Sequence, residues 1–232
     1  MFKTFGIGVL ACLLVACGAP QPRRTAPQNP PTAVPGLEVP PAGTRYTIDA
    51  SRSELRILVY RAGPLARFGH NHVMQNRAIR GTASRAERGA TFSLDVPVAE
   101  FTVDDPGARR EEGADFAGEI PEDAKSGTLH NMLSSPVLDA EQFPVITVTG
   151  VAAAGASGSA QWVASIAIRV AGHESKIEVP FTLATLPHGW TATGSLDLRQ
   201  SALGLTPYSL MLGALQVQDE MMIKFRLVAA GS

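Results

Sequence analysis

From Arg45 to Ser232 apolar side chains return at every second position, and only an extended chain turns that spacing into one greasy face and one wet face. Trp162, Ala164, Ile166, Ile168 and Val170 form one such row, and Ile177, Val179, Phe181 and Leu183 form the next. Ala192, Gly194, Leu196 and Leu198 stand opposite Thr193, Ser195, Asp197 and Arg199. Val217, Met221, Ile223, Phe225 and Leu227 stand opposite Gln218, Glu220, Lys224 and Arg226. Earlier in the chain, Leu55, Ile57 and Val59 alternate with Glu54, Arg56 and Leu58, and Phe92, Leu94, Val96 and Val98 alternate with Thr91, Ser93, Asp95 and Pro97. Breaks at Gly155 to Ser159, Gly172-His173 and Pro187-His188-Gly189 are turn-rich and short, so successive strands are expected to be antiparallel. About eight of them close into a barrel or fold into a sandwich.

One stretch departs from the alternation. Pro121 to Leu133 carries its acidic residues at the start, which predicts a short helix. It lies within a long connection expected to run from about Asp105 to Asp139. Connections of that length in a compact domain are usually functional or partly mobile.

The first forty-four residues follow other rules. Lys3, an apolar run from Phe5 to Ala16 and a small residue before Cys17 read as a removed export signal. The run falls short of the roughly 20 apolar residues of a membrane span. Leu14-Val15-Ala16-Cys17 resembles the bacterial lipobox, in which the cysteine receives a diacylglycerol and becomes the mature N-terminus. Acyl chains anchor by roughly 0.8 kcal/mol per buried methylene. Residues 18–44 hold Pro20, Pro22, Pro27, Pro30, Pro31, Pro35, Pro40 and Pro41 and almost no bulky apolar residue, the composition of a disordered, extended tether. The expected organisation is thus 1–17 signal, 18–44 tether and 45–232 barrel domain. The expected location is the periplasmic face of a bacterial envelope, at the outer membrane in a two-membrane cell because Gly18 rather than Asp follows Cys17.

A net charge of −1 gives no field to draw in nucleic acid. Both cysteines, Cys12 and Cys17, precede the domain, so disulfides, thiolate metal sites and cysteine nucleophiles are excluded there. Nucleophile-elbow, zincin, phosphate-loop and dinucleotide patterns are missing from the mature sequence, and no enzymatic activity is expected. Asp104-Asp105, Glu111-Glu112 and Glu122-Asp123 read as solvated carboxylates of a charged connection. Arg109-Arg110 suit either those acids or a lipid head group. His70 and His72, two apart, would share one side of a strand and could take a divalent ion with a third ligand such as His130, His173 or Asp115. The competing reading gives Gly69-His70-Asn71-His72 a local hydrogen-bonding role, and a bound metal is not expected.

Tyr46-Thr47-Ile48-Asp49 with Ser53, the run Val137-Leu138-Asp139-Ala140-Glu141-Gln142-Phe143-Pro144-Val145-Ile146-Thr147, the strand pair Ile166 to Phe181 and the closing Asp219-Glu220 strand resemble the YceI-like proteins over Arg45 to Ala229. Phe68-Gly69-His70-Asn71-His72-Val73 and Ala171-Gly172-His173 depart from the usual pattern. The resemblance implies an all-β, antiparallel, lipocalin-like barrel that holds a lipid or polyisoprenoid chain, as carrier or buffer. Its lumen would be lined by Leu55, Ile57 and Val59, by Phe92, Leu94 and Val96, by Ile166, Ile168, Val179, Phe181 and Leu196, and by Met221, Ile223 and Phe225. A filled core serving a structural or adaptor role fits the same alternation, as does a metal- or haem-associated protein using His70 and His72.

Overall fold

The computed structural model describes residues 43–87, 89–155 and 160–231. The expected export signal, Cys17 and all but the last two residues of the tether lie outside the described residues. In chain order the strands are β1 (Thr44–Ile48), β2 (Glu54–Ala62), β3 (His72–Asn76), β4 (Arg80–Arg85), β5 (Gly89–Pro97) and β6 (Phe101–Val103), then β7 (Val145–Ala154), β8 (Gln161–Val170), β9 (His173–Leu186), β10 (Gly189–Arg199), β11 (Ser209–Leu210) and β12 (Leu215–Gly231). Two helices, α1 (Pro106–Glu111) and α2 (Glu122–Leu133), lie between β6 and β7.

These segments make an eight-stranded closed barrel. β1 and β2 both pair with β12, β1 pairs with β4 while β2 pairs with β3, and β4 pairs with β5 while β3 pairs with β6. Each of β1–β2, β3–β4 and β5–β6 is therefore one strand broken in the middle. From β5 the order continues through β7, β8, β9 and β10 to β12, every pair antiparallel, and β12 closes the ring on β1. Closure pairs β1 and β12 and so removes the two open ends of the sheet, while β6 pairs on one side only, with β3, and β9 and β10 pair over 182–186 and 189–193.

The breaks fall at one level and are knitted by buried side chains. Ser53, 2% exposed, accepts a hydrogen bond at Oγ from Val228 N–H (3.0 Å). Asn76, 0% exposed, donates to Pro97 O (2.8 Å) and accepts from Ala78 N–H (2.9 Å). Backbone groups that leave the ladder thus keep partners.

The two ends of the barrel differ. One carries the β4–β5, β7–β8 and β9–β10 connections, with the start of β1 and the end of β12; this is the hairpin end. The other, the loop end, carries 63–71, 104–144, 171–172 and 200–214. At the loop end, Ala171 (φ 45°) and Gly172 (φ 80°) join β8 to β9, a two-residue turn with both central φ values positive.

The long connection runs from Asp104 to Pro144 and holds two helices where the sequence reading expected one. α1 follows an N-cap at Asp105, whose Oδ1 accepts from Ala108 N–H (2.9 Å), with Pro106 in the first turn. α1 and the 3-10 turn Ala114–Phe116 lie on the outer face of β2 and β3, where Leu58, Val73, Ala108 and Phe116 form a separate apolar cluster. Arg56 fastens this layer through Glu54, Glu111 (2.6 Å) and Glu112 (3.0 Å), and Lys224 also pairs with Glu112. α2 instead turns Leu129, Met132 and Leu133 toward the main core.

Candidate functional site

Because side chains alternate across a strand, the barrel walls send one row of each strand into the lumen. The lumen holds a cavity of about 480 Å³. All fourteen side chains expected to face inward line it, from Leu55 on β2 to Phe225 on β12. Leu55, Ile57, Phe92, Ile168, Phe181, Ile223 and Phe225 are only half-buried although they point inward, which is the mark of a hollow interior.

Space is kept open by glycines on the inner rows. Phe92 on β5 pairs with Gly150 on β7, and Phe225 on β12 pairs with Gly194 on β10. A Cβ at Gly150 would stand 2.8 Å from Phe92 Cζ, and one at Gly194 would stand 2.6 Å from Phe225 Cζ. Each ring tip therefore rests over a bare backbone on the neighbouring strand.

At the loop end Thr128, Asn131 and Met132 of α2, His70, His72, Tyr208 and Leu210 contribute to the lining. The rim there exposes Phe68, Leu210, Met211 and Leu212. His70 and His72 sit edge to face, centroids 6.2 Å apart. His72 Nδ1 donates to Asp104 Oδ2 (2.6 Å), while Asp104 Oδ1 accepts from Val73 N–H (2.9 Å) and from Arg109 Nη1 (2.6 Å). Arg109 Nη1 also donates to Asn71 O (2.7 Å). Burial opposes ionisation of Asp104, but the bonds from His72, Val73 and Arg109 outweigh it and hold the carboxyl below the usual aspartate range. Burial, then the neighbouring His72 and Arg109, lower the pKa of His70.

The expected trio of His70, His72 and His130 does not come together. His130 is exposed on α2 and does not line the cavity. Among the described residues no three His, Cys, Asp or Glu side chains are grouped to hold a metal ion. His72 and Asn71 instead knit the β2–β3 loop to the connection, Asn71 donating to Asp115 O (3.0 Å). Asp104, read from sequence as a solvated carboxylate, is 0% exposed, and Arg109 serves it rather than a head group.

The hairpin end was the less visible half of the site in the sequence. There the lining includes Trp162, Trp190, Phe181, Leu183, several alanines and a cation, Arg85. Trp190 meets Tyr46 edge-on at 6.1 Å, and the Arg85 guanidinium lies 5.7 Å from the Trp162 ring centroid.

The YceI-like domain model matches residues 46–229. Among solved structures, BcnA of Burkholderia cenocepacia superposes with a TM-score of 0.58 at 17% identity, covering 79% of this chain and 99% of that one. A mutant CJ YCEI protein prepared for nanotechnology applications aligns at 9% identity and a TM-score of 0.41, covering 61% of this chain and 72% of the other. A search of the curated proteins finds no significant match. The chain shares the barrel fold of BcnA and, by the match over 46–229, belongs to the YceI-like domain family.

Proposed function

We propose that this protein is a lipid-anchored envelope protein that carries or buffers an apolar chain, a lipid or polyisoprenoid, inside its barrel, without catalysing a reaction. The single observation that carries the reading is the cavity of about 480 Å³, walled by aliphatic and aromatic side chains from every barrel strand. That volume lies within the roughly 300–1,000 Å³ of small-molecule pockets. Each methylene taken from water contributes about 0.8 kcal/mol, so about ten of them gain roughly 8 kcal/mol. Association costs of about 4–15 kcal/mol make a long chain a better ligand than a short one. The exposed apolar rim at the loop end is a suitable place for such a chain to leave a membrane and thread inward. The anchor rests on Cys17 and its lipobox-like setting, and the periplasmic or outer-membrane location rests on the same residues.

Native mass spectrometry of protein purified from cells tests both halves. The expected result is a polypeptide beginning at Cys17, heavier by a diacylglycerol and acyl group, carrying one further non-covalent apolar molecule. A bare, unacylated polypeptide mass in every preparation would overturn the reading.

A further inference from the structure

Among the described residues the lining of the cavity contains no Asp or Glu and two arginines: Arg61, bonded to Gly69 O at the loop end, and Arg85, which stacks on Trp162 but has no anionic partner. Arg85 ends β4 at the hairpin end. Its Nε is buried without a hydrogen-bond partner, and no ion pair reaches it among the described residues. Its neighbours around the inner wall are small: Arg85 pairs with Ala90, Ala90 with Ala152, and Ala152 with Ala164. This row leaves room for a group larger than a methylene.

A second donor is stranded in the same arc. Trp190, 7% exposed, lines the cavity, and its indole Nε1–H has no acceptor among the described residues. The strands run β4, β1, β12, β10. Tyr46 on β1, beside Ala83 and Gly231, packs against Trp190. Arg85, two residues along β4 from Ala83, and Trp190 therefore lie at the same end of the lumen, on the strands either side of β1 and β12. A guanidinium stays charged in any accessible pH range and offers only donors. Buried donors left unsatisfied are costly, charged ones most of all. An oxygen-bearing anion is the group that answers such donors, and Arg suits carboxylate and phosphate equally.

We propose that the hairpin end of the cavity is a subsite for the anionic head group, carboxylate or phosphate, of a single-chain amphiphile whose tail fills the lumen. Arg85 is its counter-ion and Trp190 Nε1–H its second donor. The proposal rests on the reading that the lumen takes an apolar chain, and it adds the polarity and orientation of that chain: head toward the hairpins, tail toward the loop end.

Trp162 and Trp190 are the only tryptophans in the chain and both line the cavity, so intrinsic fluorescence of the purified full chain reports occupancy. Titration with hexadecanoate, hexadecyl phosphate and 1-hexadecanol at neutral pH separates the cases. At least one of the two anions is expected to bind ten times or more tighter than the alcohol, and the stronger anion names the head group. Arg85→Gln should erase that preference while leaving the alcohol's affinity within twofold, and Arg85→Lys should restore part of it. Equal binding of all three by the parent, or a preference that survives Arg85→Gln, overturns the head-group subsite while the apolar cavity stands. Failure of all three to bind overturns both.

Discussion

Gly194 lies beneath the ring of Phe225, so close that a single added methyl would stand 2.6 Å from Cζ. The two residues are direct partners across β10 and β12, and Gly150 and Phe92 repeat the arrangement across β7 and β5. Without these glycines the rings would have to tilt off the wall and into the lumen. The hollow interior is thus written into two cross-strand pairs as much as into the size of the barrel.

Gly194→Ala is expected to cost about 1–3 kcal/mol by overpacking and to weaken binding of a long alkyl chain. Adding Phe225→Ala should recover chain binding, so that the effects of the two substitutions are non-additive. Urea titration and chain binding measured on the two single variants and the double variant check this. Strict additivity would mean that the ring does not respond to the methyl.

A hollow barrel reverses the usual ranking of inward and outward positions. Ile57 faces the lumen but is half-buried, whereas Leu58 faces outward and is 2% exposed beneath Ala108 and Phe116. Leu58→Ala should therefore cost about 2–5 kcal/mol, more than Ile57→Ala, when both are compared by chemical denaturation. An equal or greater loss at Ile57 would mean that the interior is packed solid.

Asp104 sets an acid limb of stability. Its folded pKa is depressed, so on acidification the unfolded chain takes up the proton first. The contribution is whole above the ordinary aspartate value of 3.8 and disappears as pH falls through the lower folded value. Asp104→Asn leaves the Arg109 cation buried without its counter-charge and should cost about 3–5 kcal/mol at neutral pH. Urea titrations at pH 7 and pH 3 should show that deficit narrowing on acidification.

The β8–β9 turn offers a test in both directions. Gly172 combines φ 80° with a Phe143 ring that a Cβ would meet at 2.8 Å, so Gly172→Ala should destabilise by about 1–3 kcal/mol. Ala171 holds φ 45° without being glycine, and a left-handed conformation costs an L-residue about 1–2 kcal/mol. Ala171→Gly should raise the thermal midpoint, and calorimetry measures both variants.

What the sequence disclosed, and what it hid, follows from which faces are covered. Strands β8, β9, β10 and β12 have one face on the lumen and one in water, so their alternation is clean and their inward rows were readable. Val73, Met74, Gln75 and Asn76 on β3 are all buried, because the lumen covers one face and α1 the other. No alternation survives there. The same cover hides the role of Leu58, which falls in the outward row with Glu54 and Arg56. α1, with its N-cap at Asp105 and Pro106 in the first turn, was missed because its charges read as a solvated connection; an Asp-Pro pair is a helix-start signal that could have found it. Asp104 could not be separated from Asp105 in sequence, since its burial depends on His72 and Arg109 arriving from elsewhere. Arg85 was hidden for a related reason: an arginine at the end of a strand looks solvated until its inward neighbours are known.

The central claim is that the inner rows enclose a space that takes an apolar chain, and one pair of adjacent residues tests it most directly. Ala164 is 3% exposed and lines the cavity, while Val163 points outward at 45% exposure. Native mass spectrometry with 1-hexadecanol should show a one-to-one complex for the parent and for Val163→Phe, and none for Ala164→Phe. Equal occupancy in the two variants, or an empty parent, would contradict the account.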